Sequence, residues 1–182
     1  MVAEWRAEVD ARSAGADMND TFYSNCRNGA VFSYCRNYRY SLWRNENQSG
    51  LEKLVAFIGL NPSTADEEKN DPTVKRCINF AERWGYGGMV MLNLFAFRAT
   101  DPKVMRAENE PVGPLNLGVI QWFAERVGLV VTCWGNHGSH LDQYKITVST
   151  ISSYKLHHLG LTKTGQPKHP LYLRADTKPI PW

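Results

Sequence analysis

The chain has 182 residues, of which 43% are hydrophobic and 21% are charged, and its formal net charge is +3. This length is enough for one domain with a buried core, so residues 21–182 are predicted to form a single domain behind an N-terminal extension, residues 1–20. So small a charge does not by itself indicate a nucleic-acid partner. No apolar run approaches the roughly 18 residues that a membrane span needs, so no membrane partner is predicted.

The cysteines indicate the compartment. The sequence holds four of them, none in a C-x-x-C pair, and no apolar signal segment follows Met1. Scattered cysteines without a leader favour reduced thiols. We therefore expect a cytoplasmic location.

Residues 30–44 predict an antiparallel strand pair, because two runs rich in aromatic and β-branched residues flank a polar turn. Aromatic and basic residues alternate there, which is a texture that can stack bases and contact phosphates. The alternative is an edge hairpin with Tyr38, Tyr40 and Leu42 packed inward and its arginines in solvent.

The stretch from Val55 to Pro72 contains the most informative motif. An apolar strand pattern ends at Gly59 and is followed by the polar turn 61–64. Ser63 and Asp66 have the spacing of a capping box, which predicts a helix start at this turn. Backbone N–H groups exposed there can hold an anion or a polar ring.

Further along, helices and strands alternate. Asp71 as N-cap and Pro72 at the first helical position predict a helix that stops at Gly85. Two more helices are predicted, one from about Pro114 to Gly128 and one over 139–152. Apolar strands are predicted at 89–97, 129–135 and 155–161, and the Pro- and Gly-rich tail is predicted to be a loop with one short helical turn.

This alternation predicts an α/β fold. It would be a three-layer sandwich with a mostly parallel central sheet of about four strands, helices on both faces and an N-terminal antiparallel hairpin. In such a sheet, ligands bind beyond the carboxyl ends of the strands. The residues that follow the strands, the candidate ligand-binding set, are Gly59, Leu60, Asn61, Pro62, Ser63, Thr64, Asn93, Phe97, Arg98, Trp134, Gly135, Asn136, His137, Lys168, His169 and Pro170.

Amide, imidazole and hydroxyl groups dominate this set. They suit hydrogen bonding to a planar heterocycle, since an asparagine presents a donor beside an acceptor. Structural alternatives stay open for each residue alone. Asn93 can satisfy backbone groups at a strand end, Asn61 with Pro62 can form a plain turn, and His169 can lie in a surface loop.

Metal and cofactor chemistry have little support. Cys133, His137 and His140 have C-x3-H-x2-H spacing, with His157 and His158 as completing ligands, but a second paired set is missing. Phosphate-loop, dinucleotide and nucleophile-elbow motifs are also missing. Neither a metal nor a cofactor is predicted.

The ordered motifs YRYSLWR, FIGLNPSTADEEKNDPT and KHPLYL resemble an uncharacterised bacterial and phage family of unknown function. From Leu54 onward the chain also resembles, more remotely, the uracil-DNA glycosylase superfamily. GLNPS is similar to the first motif of its mismatch-specific branch, and Asn93 falls where that superfamily places a base-reading asparagine. LVVTCWG is similar to its strand ending in Trp-Gly, His169-Pro170 to the start of its late His-Pro-Ser motif, and the final KPIPW to its tail.

The resemblance implies a glycosylase-like fold and a protein that recognises a nucleobase and hydrolyses the N-glycosidic bond of a modified or mismatched base in DNA. Asn61 would orient water, while His169 and the backbone of the Asn61 turn would stabilise the base anion. Asn93 would hydrogen-bond the base edge. Tyr172 or Leu171 would fill the space of the flipped base.

Two departures from that pattern matter. Asn61 cannot act as a general base, so Asp66 or Asp71 would have to supply a carboxylate, and KHPLYL lacks the serine after His-Pro. A binding module for nucleic acid or a nucleotide, without catalysis, is therefore the first alternative. A different small-molecule hydrolase or transferase that uses Ser63, Thr64 or Asp71 is the second.

Overall fold

The structure is a computed structural model that describes residues 27–182. The predicted N-terminal extension, residues 1–20, and Cys26 lie outside the described residues. The strands are β1 (Asn28–Phe32), β2 (Arg39–Arg44), β3 (Leu54–Gly59), β4 (Gly88–Asn93), β5 (Leu129–Thr132), β6 (Leu156–His158) and β7 (Ile180–Pro181). The helices are α1 (Pro72–Arg83), α2 (Pro102–Ala107), α3 (Asn116–Ala124) and α4 (Gln143–Thr150), with short 3-10 segments at Leu51–Lys53, Asn136–Asp142 and Pro170–Tyr172.

The described strands form one mixed sheet in the order β1-β2-β4-β3-β5-β6-β7. The four central strands, β4, β3, β5 and β6, are parallel, and antiparallel pairs extend the sheet at both edges. The α/β class is confirmed, but the sheet is larger than predicted. The hairpin joins it through β2 and β4, and the tail adds β7 at an edge, where a proline is tolerated.

Alternating side chains in β3 explain why helices cover both faces of the sheet. Ala56 and Ile58 pack in a cluster that includes Val119, Ile120 and Phe123 of α3. Val55 and Phe57 pack in a second cluster that includes Val74, Cys77 and Phe80 of α1. Because neighbouring residues of a strand point to opposite faces, a strand covered on both sides is apolar throughout.

Helix α1 begins at the residue that its N-cap signal predicts. Asp71 accepts a hydrogen bond from the Val74 N–H at 2.8 Å, and Pro72 occupies the first helical position of α1. The same signal, Asp101 before Pro102, begins α2, which was not predicted. The helix predicted over 139–152 begins later, at Gln143. Residues 136–142 are a 3-10 segment in which Leu141 and Asp142 have positive φ.

The helix predicted at Ser63 and Asp66 is wrong. Residues 60–71 form a loop in which the Asp66 Oδ1 accepts from the N–H groups of Glu68 at 3.0 Å and Lys69 at 2.7 Å. An Asp side chain that bonds backbone two and three residues ahead stabilises a turn instead of a helix. Asp66 therefore caps a turn.

The alternative that the hairpin arginines lie in solvent holds for the exposed Arg36 but is wrong for Arg39 and Arg44. Arg39 and Arg44 of β2 are only 2% and 3% exposed. Arg44 donates to the Asn70 Oδ1 at 2.7 Å and to the Asp66 carbonyl at 2.7 Å. Arg39 donates from Nη1 to the Ala65 carbonyl at 2.8 Å. Both arginines therefore anchor the loop 60–71, which gains from β2 the support that a helix would have supplied itself.

Candidate functional site

A cavity of about 540 Å³ opens beyond the carboxyl ends of β3, β4 and β5. The predicted residues that line it are Gly59, Leu60, Asn61, Ser63, Asp71, Asn93, Trp134, Gly135, Asn136, His137 and His169. Its other lining residues are Arg39, Thr73, Val74, Met91, Ala99, Thr100, Pro102, Cys133 and Tyr172. The three residues that the sequence predicts to act on a base, Asn61, Asn93 and His169, thus line one cavity.

Asn93 ends β4 beside Gly59, its partner in the parallel register. Its side chain is 3% exposed, and its Nδ2 has no hydrogen-bond partner among the described residues. A Cβ at position 59 would lie 3.0 Å from the Asn93 Oδ1, so glycine leaves room for the amide. Because a buried amide without partners is costly, this one requires a ligand or water to complete its hydrogen bonds.

Asn116 of α3 fixes the strand end below this amide. Its Nδ2 donates to the carbonyl oxygens of Asn93 at 2.9 Å and Leu94 at 3.0 Å. The backbone of Asn93 is therefore held from behind while its side chain stays unpaired at the cavity.

Asn61 differs from Asn93 because its donor is occupied. Its Nδ2 donates to the carbonyls of Ala99 at 2.7 Å and Pro62 at 3.1 Å, and the Ala99 N–H returns a bond to the Pro62 carbonyl at 2.9 Å. These contacts fix the amide and leave its Oδ1 as an acceptor for water or a donor on a ligand.

His169 precedes the 3-10 segment Pro170–Tyr172, and its Nδ1 accepts from the Leu171 N–H at 3.3 Å. Burial lowers the pKa of His169, an effect that the charge of Asp71 opposes. A ring with a lowered pKa is mostly neutral at neutral pH. Since Nδ1 accepts, the neutral ring carries its proton on Nε2 and can donate from there.

Of the two candidate carboxylates, Asp71 lines the cavity and Asp66 does not. One oxygen of Asp71 caps α1, its charge raises the pKa of His169, and both residues line the cavity. Hydrogen bonds from the backbone of Lys69 and Glu68 lower the pKa of Asp66, whose role in the turn is structural.

Trp134 and its neighbours form a wall. The Trp134 indole is buried and donates from Nε1 to the Gln166 Oε1 at 2.8 Å. A Cβ at Gly138 would lie 2.0 Å from the Trp134 ring, so glycine is required for this close approach. Burial raises the pKa of Cys133 to about 12, which makes it a thiol and a poor nucleophile.

The other predicted binding residues, Pro62, Thr64, Phe97, Arg98, Lys168 and Pro170, do not line the cavity. Phe97 forms an isolated bridge with Tyr38. The Arg98 Nη1 donates to the Arg36 carbonyl at 3.0 Å, and its guanidinium lies 4.8 Å from the Phe32 ring centroid. Arg98 thus contacts the hairpin tip instead of the cavity.

Arg39 is the charged lining residue that the sequence does not predict. The hairpin pattern assigned it to solvent, and its only sequence signal was its place in YRYSLWR. It is buried, and its Nε has no hydrogen-bond partner among the described residues. The cavity therefore holds a guanidinium beside amide, imidazole and carboxylate groups.

Within residues 27–182, no group of three or more His, Cys, Asp and Glu side chains is placed to hold a metal ion. Over the same residues, no helix has the length and apolar character to cross a membrane.

One comparison with known proteins gives a match. The model of a family described as "Protein of unknown function (DUF1643)" matches residues 39–171, which confirms the predicted resemblance to a family of unknown function. No curated protein and no solved structure matches the chain.

Proposed function

We propose that the chain, which belongs to the DUF1643 family, binds a nucleobase in this cavity and hydrolyses the N-glycosidic bond of a modified or mismatched base. The observation that carries the proposal is the shared cavity of Asn61, Asn93 and His169 at the carboxyl ends of the parallel strands. The resemblance to the uracil-DNA glycosylase superfamily implies that these three residues share one site. The side-chain amide of Asn93 and the imidazole N–H of His169 can form hydrogen bonds with the edge of a planar base.

The cavity groups can be assigned roles in that reaction. The Asn61 Oδ1 orients a water, whose oxygen forms a bond to the sugar C1′ while one water proton passes to Asp71. The C1′–N bond breaks, and its electron pair remains on the departing base. The His169 Nε2–H then stabilises the negative charge that develops on the base.

Asn93 supplies base recognition. Its amide is buried, lines the cavity and makes no side-chain hydrogen bond within the described residues, so donor and acceptor both remain for a base edge. Tyr172, 85% exposed at the cavity, is placed to fill the space that a flipped base leaves in a duplex.

The direct test is abasic-site formation on oligonucleotides that carry uracil, hypoxanthine or hypermodified pyrimidines. Alkaline strand cleavage is expected with the wild type and is expected to be lost in His169→Ala and Asn61→Ala. Arg106→Gln is the matched control, since Arg106 is exposed and does not line the cavity.

The alternatives give different results. Release of no base, together with a gel shift of single- or double-stranded DNA, would overturn hydrolysis and favour the non-catalytic nucleic-acid module. If neither occurs and a free nucleotide raises the melting temperature, the chain is another type of hydrolase or transferase.

A further inference from the structure

Arg39 has fewer partners than its burial requires. It is 2% exposed, and its one side-chain hydrogen bond within the described residues runs from Nη1 to the Ala65 carbonyl. Its Nε is buried without a partner. A guanidinium has five N–H donors, and burying them unpaired is costly.

The charges around Arg39 do not neutralise it. No carboxylate of the described residues lies within 4.0 Å of its nitrogens. Asp71 and Asp66 act on it from further away, and so do the positive charges of Arg98 and Arg44. None of these charges forms an ion pair with Arg39 within the described residues. Burial lowers the pKa of Arg39 to about 10, so it is still protonated at neutral pH.

The cavity is where the missing negative charge can enter. Arg39, Asn93 and His169 all line it, and each brings hydrogen-bond donors. Asp71 also lines it and opposes an anion there, but one of its oxygens is bonded to the Val74 N–H. An acceptor-rich ligand would complete the hydrogen bonds of Arg39, and an anionic one would also balance its charge.

We propose that Arg39 is the counter-ion for a nucleobase in its ring-deprotonated, anionic form, so that the cavity binds a base anion in preference to the neutral base. This proposal rests on the proposed function for base binding, and it does not require catalysis. In the hydrolysis, the same charge stabilises the base that leaves with the electron pair of the C1′–N bond. Negative charge already develops on the leaving base in the transition state, so Arg39 stabilises the transition state more than the uncleaved substrate, as catalysis requires.

The test compares two bases of similar size, one anionic and one neutral. 5-Nitrouracil is ionised at neutral pH because its nitro group acidifies the ring N–H, whereas thymine is neutral. Titration calorimetry is expected to show that the wild type binds 5-nitrouracil about tenfold or more tightly than thymine, as expected for hydrogen bonds to a charged group. Arg39→Met is expected to lose this preference, and Arg106→Gln is expected to keep it.

A second measurement does not depend on the folding of a variant. The absorption of 5-nitrouracil reports its ionisation, so its pKa can be followed on the wild-type protein. Binding is expected to lower this pKa. An unchanged or raised pKa would overturn the role of Arg39.

The failures are distinguishable. Equal affinities for the two bases would overturn the role of Arg39 as counter-ion and leave base binding intact. Binding of neither base would overturn the proposed function as well. Inorganic phosphate is expected not to displace bound 5-nitrouracil. Displacement would identify a general anion site and overturn the assignment to a base.

Discussion

Strand β2 buries an arginine at each end, Arg39 at its first residue and Arg44 at its last. Arg44 donates to the Asn70 Oδ1 and to the carbonyls of Asp66, Lys69, Trp43 and Gly29, so protein acceptors surround it. Arg39 has one such acceptor and lies at a cavity. The same residue type, equally buried in one strand, therefore stabilises a loop at one end and is available to a ligand at the other.

The largest expected effect comes from removing the hydrogen bonds of the Arg44 side chain. Arg44→Met is expected to lower the free energy of unfolding by about 3–5 kcal/mol, because three partly buried acceptors in the loop 60–71 and the buried carbonyls of Gly29 and Trp43 lose their donor. Urea denaturation at neutral pH measures this loss. A loss below about 1 kcal/mol would show that this arginine contributes little to the fold.

The second prediction makes the same comparison with two asparagines. Asn116→Leu is expected to cost about 2 kcal/mol, since the carbonyls of Asn93 and Leu94 lose a donor. Asn93→Leu removes an amide whose Nδ2 has no partner within residues 27–182, so its unfolding free energy should change by less than about 1 kcal/mol while base binding is lost. Denaturation and calorimetry on both variants check it, and equal stability losses would contradict it.

The third prediction concerns the stability of Arg39→Met, to be compared with that of Arg44→Met. Arg39→Met removes one hydrogen bond and also removes a buried charge, so it is expected to cost only about 1 kcal/mol. The same urea series measures it. A loss equal to that of Arg44→Met would mean that both arginines are structural and would remove the contrast between the two ends of β2.

The smallest effect concerns pH. The pKa of His169 is lowered by burial, so the unfolded chain binds a proton that the folded chain resists. The stability that neutral His169 contributes is present above its unfolded pKa and is lost as pH falls through that value toward the folded pKa. Between about pH 7.5 and 5.5, the melting temperature of wild type should therefore fall more than that of His169→Gln.

A parallel fall in the two proteins would show that His169 is solvated. The other histidine with a lowered pKa, His158, is present in both proteins and so cancels in the comparison.

The sequence predicts those parts of the fold that local signals determine. Asp71 before Pro72 marks the start of α1, and the apolar run in β3 indicates a strand covered on both faces. The sequence predicts a helix start in the loop 60–71, because Ser63 and Asp66 have the spacing of a capping box. Its actual support comes from Arg39 and Arg44, and no local pattern records that contact.

In the candidate site, too, the residues with a local sequence signal are predicted and the residue placed by a long-range contact is not. Asn61, Asn93 and His169 could be identified because each follows a strand or begins a short motif, and parallel strands bring their carboxyl ends together. Arg39 could not, because it lies in an antiparallel strand whose alternation points to solvent. Its position at the cavity depends on the pairing of β2 with β4.

The most direct test of nucleobase binding is a nuclear magnetic resonance titration of ¹⁵N-labelled protein with free uracil and hypoxanthine. If the base binds in the cavity, the side-chain amide signals of Asn93 and the Nε2 signal of His169 are expected to shift with saturation. The amide of Asn47, which is exposed and away from the cavity, should not move. An Asn93 amide signal that stays unchanged at saturating base would contradict nucleobase binding in this cavity.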